Sequence, residues 1–429
     1  MRNRYRMLSF GIPVLLILSI LSSALVIGRE KPAELVFWTA PNKFQNRYNK
    51  EIVDTWNREN PDIKIKWTPI PQGESSEEVI FAAIASGTAP NLLTNVFSGF
   101  AETLAKDKVL IPLDTLPGFE ELIKERDMVD IIEYYRSPDG HIYVIPIYTN
   151  AMLWRYNKEL LDELGLDKPP RTYDELLSLA DKVVVPHKRW LVLRPYASGW
   201  WERWFDFMTI YYAAGGKHFL KDGKAAFNND AGITAAKFWQ TLYKNGYAPP
   251  GIVKARFETG NALCHEMGPW LIPDTAKYFP GFEYVLSPPP VPDGYPENSP
   301  IYTFSDSKGI VLLANTPEEM IPKAWKFVKE RFSLANDVKW FEITGMPPSR
   351  GDLLANPAFA NALSKQPEIR EFARGVPYAL PPPMNPYVIE TQKIFTDVCW
   401  EPLVYGRKTV EQAIKDGEIA INEFLASQG

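Results

Sequence analysis

The stretch "ELVFWTAPNKFQNRYNKEIVDTWNRENPDIKIKWTPI", residues 34–70, decides the fold. Residues 34–39 form a short apolar run with β-branched and aromatic members, which reads as a strand. Tyr48, Ile52 and Trp56 then recur every fourth residue, the spacing of one helix face. A second strand follows in "NPDIKIKWTPI". Two strands joined by a crossover helix lie parallel in one sheet, so the chain opens as an α/β unit.

The pattern continues outward. "SSEEVIFAAIASGTAP", residues 75–90, has a serine to cap a helix, carboxylates in its first turn, and Gly87 and Pro90 to stop it. It feeds a third strand, "NLLTNV". In such sheets ligands sit outside the carboxyl ends of the strands. Trp38 and Thr39 end the first strand and Thr94 and Asn95 the third, so the four converge if those strands are neighbours. Trp38 has a second reading, as a lid on the core.

Further along, "DGHIYVIPIYTN" (139–150) is a turn followed by alternating apolar residues, and "AMLWRYNKELLDELGL" (151–166) takes helical spacing at Leu160, Leu161 and Leu164. Thr172 with Glu175 makes a capping box. An aromatic block at 197–207, "ASGWWERWFDF", precedes a glycine-rich hairpin (213–230) and the helix "AGITAAKFWQTLYKNG". Residues 286–300 are proline-rich and read as a stiff connection. "SDSKGIVLLAN" is a buried strand and "EEMIPKAWKFVKERF" a helix. No repeat or low-complexity tract interrupts the chain.

With 429 residues the chain is long enough to split into two lobes. A formal charge of −5 argues against a nucleic-acid partner. The 13 tryptophans and 20 tyrosines leave aromatic surface beyond what cores need. The N-terminus pairs a basic "MRNRYR" with an uncharged apolar run over residues 7–28, an export signal that is either cleaved or kept as a membrane anchor. Cys264 and Cys399 allow one disulfide in an oxidising compartment or two separate buried thiols. Four scattered histidines offer no metal-ligand spacing.

The order of these landmarks resembles the extracellular solute-binding proteins of ABC importers, in particular the sugar-binding group that includes maltose-binding protein. The matching pieces include "AAIASGTAPNLLT", "LIPLD", the run 139–177, "AAGGK…DGKAAFNND", "FETGNALCHEMGPW", "SKGIVLLANTPEEMIPKAWKFVKE", "GMPPSRGDL" and "GRKTVEQAIKDGEIAINEFL". They run from about residue 34 to the C-terminus. This sequence departs in having no cysteine for lipid attachment after the apolar run and in carrying Asn91 where the group usually has Asp. The resemblance implies two doubly wound α/β lobes with a ligand cleft between them, of the type II periplasmic-binding-protein kind. Residues 33–146 plus 303–347 would form lobe 1 and 147–302 plus 348–429 lobe 2, with residues 1–28 as signal or anchor. The chain would cross between lobes near 145–149, 299–305 and 346–350. The function implied is capture of a sugar by lobe closure and delivery to a membrane ABC permease, by a monomer outside the cytoplasm, with no cofactor, no metal and no covalent chemistry.

A sugar presents ring-plane hydroxyls and C–H faces, so its site needs planar apolar surfaces and fixed polar groups. Candidates in the first lobe are Trp38, Asn42, Thr94 and Asn95, with Tyr148 and Asn150 at the first crossing. Trp270, from "GPW", is placed on the cleft wall by the resemblance. Ser305 and Asp306 stand near the second crossing and Arg350 near the third, where Arg350 could instead pair with a carboxylate between lobes. Tyr378 and Tyr387, on a proline-stiffened loop, would roof the cleft or simply pack. His218 and His265 read as surface or hairpin residues.

A helix starting near Trp200 would put Trp201, Phe205, Met208 and Tyr212 on one stripe, enough for a core. Trp200, Trp204, Phe207 and Tyr211 form a second stripe about 100° round. In the resembled group this segment brings aromatic side chains to the sugar, which makes Trp200 the first stacking candidate, Trp204 the second and Trp201 one shared between core and cleft; the alternative is that all three are buried against neighbouring helices. A polyol or glycerophosphodiester is the alternative ligand, with Arg350, Arg194 or a helix start to meet the phosphate. A glycoside hydrolase would need two carboxylates flanking a scissile bond; 52 acidic residues leave room for such a pair, but no paired-carboxylate or other catalytic motif emerges.

Overall fold

The computed structural model describes residues 33–73, 75–194, 200–249, 251, 253–365 and 367–428, with the backbone alone for 200–203. The expected export segment, residues 1–28, lies outside the described residues. The first sheet is built on β1 (Ala33–Thr39), β2 (Ile63–Pro69) and β3 (Leu92–Val96), with β1 parallel to both others. The crossover between β1 and β2 is α1 (Lys43–Glu59), and that between β2 and β3 is α2 (Ser76–Ala85). Asn42 caps α1, its side-chain oxygen accepting from the amides of Phe44 and Gln45. Ser75 caps α2 by accepting from Glu78 N, and Gly87, at φ +70°, turns the chain out of it. Asn91 keeps the strand register, its side-chain oxygen accepting from Val36 N at 2.8 Å.

β4 (Ile145–Ala151) runs straight into β5 (Leu153–Asn157). Residues 153–157 are thus a strand, and the helical spacing at Leu160 and Leu161 belongs to the helix Lys158–Glu163 that follows it. Trp154 and Tyr156 fill the second core while Arg155 turns to the opposite face, the alternation of a pleat. The second sheet has the order β10-β5-β9-β6, from β6 (Trp190–Val192), β9 (Ala262–Met267) and β10 (Tyr284–Ser287), and only β6 and β9 are parallel. Between them stand the Trp200–Ala213 helix, the hairpin β7 (Leu220–Lys221) with β8 (Lys224–Ala225), and the Asp230–Lys244 helix. The capping box at Thr172 and Glu175 is present.

β11 (Thr303–Leu312) returns to the first sheet antiparallel to β3 and β4, and β12 (Ala379–Leu380) pairs with its start. Ser349 N donates to Ile147 O, so a third segment lies beside β4. Around the first sheet one core gathers Phe37, Tyr48, Trp56, Phe327 and Trp340 in edge-to-face contacts. The second gathers Trp154, Phe207, Trp239 and Trp400. The two largest cores, one on each of the two larger sheets, give a two-lobed α/β molecule. The C-terminal segment touches both, placing Val388 and Ile389 in the first core and Phe395 to Trp400 in the second. Cys264 and Cys399 are separate buried thiols of the second core. No helix among the described residues is long and apolar enough to cross a membrane.

Candidate ligand-binding cleft

Beyond the carboxyl ends of β1, β2 and β3 lies a cleft of about 540 Å³, within the roughly 300–1,000 Å³ usual for small-molecule sites. The first lobe contributes Pro41 after β1, Gln72 and Gly73 after β2, Asn95 and Phe97 at the end of β3, and Ser75, Ser76 and Glu77 at the start of α2. β11 contributes residues 304–308. Facing them from the second lobe are Trp204 and Phe205, with Pro382 and Gln392 from the C-terminal segment.

Polar groups here are held in place. Asn95 sits in the left-handed region at φ +66°, which asparagine tolerates better than most residues, and its amide nitrogen donates to Ser76 Oγ at 3.0 Å. Ser305 and Ser307 share a buried hydroxyl contact of 2.5 Å. Lys308 Nζ lies 3.4 Å from Asp306 Oδ1 and 4.8 Å from the Phe97 ring centre, so its charge is answered on both sides. Across the β4–β11 register from Asp306 stands Asn150, fully buried, with neither amide atom partnered among the described residues. A buried amide without partners is costly, so this one wants a water or a ligand.

The aromatic wall is equally constrained. Trp204 is buried edge-on against Phe219 at 4.3 Å between ring centres, and its Nε1 has no acceptor among the described residues. Phe205 meets Phe304 edge-to-face at 5.1 Å, the two rings coming from different elements. Indole and phenyl faces beside serine hydroxyls, amides and a carboxylate suit a ligand that is apolar on its faces and hydroxylated at its edges.

The sequence candidates divide accordingly. Asn95, Trp204, Ser305 and Asp306 line the cleft together, and Asn150 lies beside Asp306. Thr94 is buried behind Asn95, and Trp38 is half-buried against the first core. Asn42 has its side-chain oxygen committed to capping α1. Tyr148 stacks on Trp340 inside the first core, where burial pushes its phenol far up. Trp270 packs against both cores, and a Cβ at Gly268 would fall 1.9 Å from its ring, which accounts for the glycine in "GPW". The side chains of Trp200 and Trp201 lie outside the described residues.

Arg350 is taken up elsewhere. It binds Asp337 at 3.0 Å and Asp352 at 2.7 Å, and Arg126 grips the same Asp337. Arg350, Thr149 and Ser305 line a different cavity, with Tyr134 and Tyr378. Tyr378 therefore does not roof the cleft, and Tyr387 holds Lys106 over its ring at 4.1 Å. Arg194 bonds Asp206 and lies 3.9 Å from Glu266. His265, expected at the surface or in a hairpin, packs on Phe257 and accepts from Arg155 Nε at 2.6 Å. Burial, then Arg155 and Arg194, hold its basicity well below the ordinary range.

Sequence reasoning missed Phe205, Phe304, Glu77, Lys308 and Gln392. Phe205 was assigned to the core-facing stripe, and Ser75 with its neighbours was read only as a cap. The helix-start signal did contain the second role, since a helix that begins at a strand's carboxyl end begins at the cleft.

The family model described as bacterial extracellular solute-binding protein matches residues 51–368. The chain belongs to that family. A solved structure of an uncharacterized protein, lmo0859, from Listeria monocytogenes EGD-e is similar at 33% identity and a TM-score of 0.80, covering 92% of this chain and 100% of that one. The cyclic alpha-maltosyl-1,6-maltose binding protein of Arthrobacter globiformis shares the fold at 22% identity and a TM-score of 0.77, over 92% of this chain and 100% of its own. The arabinooligosaccharide-binding protein of Halalkalibacterium halodurans is 23% identical over 344 residues, 77% of this chain and 74% of its own length. The latter two are named as binding proteins.

Proposed function

We propose that this solute-binding protein is the extracytoplasmic component of an ABC importer, that it captures a sugar or oligosaccharide by closing its lobes, and that it hands the ligand to a membrane permease. The observation that carries this reading is the cleft wall: Trp204 and Phe205 from one side, set against Asn95 at the end of β3 and Phe304, Ser305 and Asp306 of β11. Stacking faces plus fixed donors and acceptors, with no nucleophile activated by a neighbouring base among the described residues, suit recognition rather than turnover. Lobe closure brings the two halves of the site together, and the ligand favours the closed form because it touches both.

A thermal-shift and tryptophan-fluorescence screen across neutral mono- and oligosaccharides tests the reading. Saturable stabilisation with unchanged ligand recovered by chromatography supports it. Conversion of the saccharide to shorter products, or no response to any of them, contradicts it.

A further inference from the structure

The cleft is not neutral. Its described lining carries two carboxylates, Glu77 and Asp306, and one ammonium, Lys308. Lys308 is already paired with Asp306, and its other side is covered by Phe97. Glu77 has no basic partner among the described residues and stands half-buried in the first turn of α2.

That placement matters because the start of α2 is the feature of the cleft best suited to an anion. A helix N-terminus carries about half a positive charge and free amides. Here Ser75 Oγ occupies the amide of Glu78, and the carboxylate of Glu77 answers the dipole. An incoming phosphate or carboxylate would meet a site whose attractive end is already satisfied by a like charge. No guanidinium among the described residues lines the cleft to reverse the balance: Arg350 is bound by Asp337 and Asp352 and Arg194 by Asp206.

We propose that Glu77 sets the charge preference of the cleft, so that it takes neutral or amine-bearing saccharides and turns away anionic ones, phosphorylated polyols and uronates among them. This rests on the saccharide reading above. A like charge held within ~8 Å in a half-solvated cleft changes relative affinity by about three- to tenfold, and added salt shrinks the effect.

The test is titration of maltotriose, arabinotriose, the glucosamine trisaccharide, trigalacturonate and glycerol 3-phosphate into the wild-type protein and into Glu77→Gln and Glu77→Asp. Expected is weaker binding of the two anions than of the neutral trisaccharides in wild type. That gap narrows about three- to tenfold in Glu77→Gln, stays in Glu77→Asp, and narrows in wild type as salt is raised. A gap unchanged in Glu77→Gln, or an anion binding wild type as tightly as the neutral sugars, overturns the assignment while the saccharide reading stands. If no saccharide of any charge binds, both fall.

Discussion

Lys43 Nζ, at the first residue of α1, lies 2.6 Å from Asp274 Oδ1 on the Ile272–Tyr278 helix, so a side chain that follows β1 of the first sheet holds one that follows β9 of the second. Tyr278 adds its ring 5.1 Å from the same ammonium. Both partners are about half exposed, which makes the pair weak and sensitive to salt. Replacing Lys43 with Met is expected to weaken ligand binding by about two- to fivefold at low salt and less at high salt. Small-angle scattering checks the cause: the unliganded variant should be the more expanded particle, and the saturated one should match wild type.

Among the described aromatic residues of the cleft Phe205 is the least committed to the core, half-buried and held edge-on by Phe304. Phe205→Ala should weaken saccharide binding roughly tenfold or more, because stacking contributes about 0.5–1.5 kcal/mol beyond the area it covers. Circular dichroism and the urea midpoint should move little. Trp204→Ala, by contrast, should destabilise the second lobe by about 3–5 kcal/mol, since its ring is buried against Phe219.

The contrast shows what the sequence carried. Strand, helix and cap signals placed α1, α2 and the β1–β3 triad within a few residues, because local propensity and the required fold agree there. The strand at 153–157 was hidden because its buried residues continue into the helical leucines, and a five-residue strand leaves little alternation to count. Within the site, Asn95, Asp306 and Trp204 could be named from strand ends and the aromatic block. Arg350 could not be removed from it by sequence, since its partner Asp337 lies on a helix whose packing no spacing rule encodes. Tyr148 likewise occupies a strand whose every residue is buried, so its position says nothing of which side faces the cleft.

Arg350 gives a direct check of that reassignment. Arg350→Met leaves Asp337 with Arg126 alone and Asp352 without its bidentate partner. Chemical denaturation should register a loss of about 2–4 kcal/mol, with saccharide affinity within about threefold of wild type. Abolished binding in a protein of undiminished stability would return Arg350 to the ligand site.

Glu266, on β9, carries a pH signature. Burial is the main cause that raises its carboxyl from 4.5 to about 7; Arg194 and the Thr209 hydroxyl oppose it, and Asp206 adds to it. Between those two values the folded state binds more protons than the unfolded, so this group's stabilising contribution is present below pH 4.5 and lost as pH rises to about 7. Glu266→Gln keeps an acceptor for Thr209 Oγ1, which donates to Glu266 Oε1 at 2.5 Å. The variant should exceed wild type in stability at pH 8 by about 1–3 kcal/mol, and the difference should vanish near pH 4. Urea midpoints across that range check the sign.

Isothermal titration of a neutral oligosaccharide series into the wild-type protein, with the same series run on Phe205→Ala, tests saccharide capture in this cleft most directly. The structure leads to saturable one-to-one binding by at least one member, weakened about tenfold or more by removal of the Phe205 ring. Heat from no member at millimolar concentration, or binding indifferent to Phe205, Asn95→Ala and Asp306→Asn alike, would contradict it.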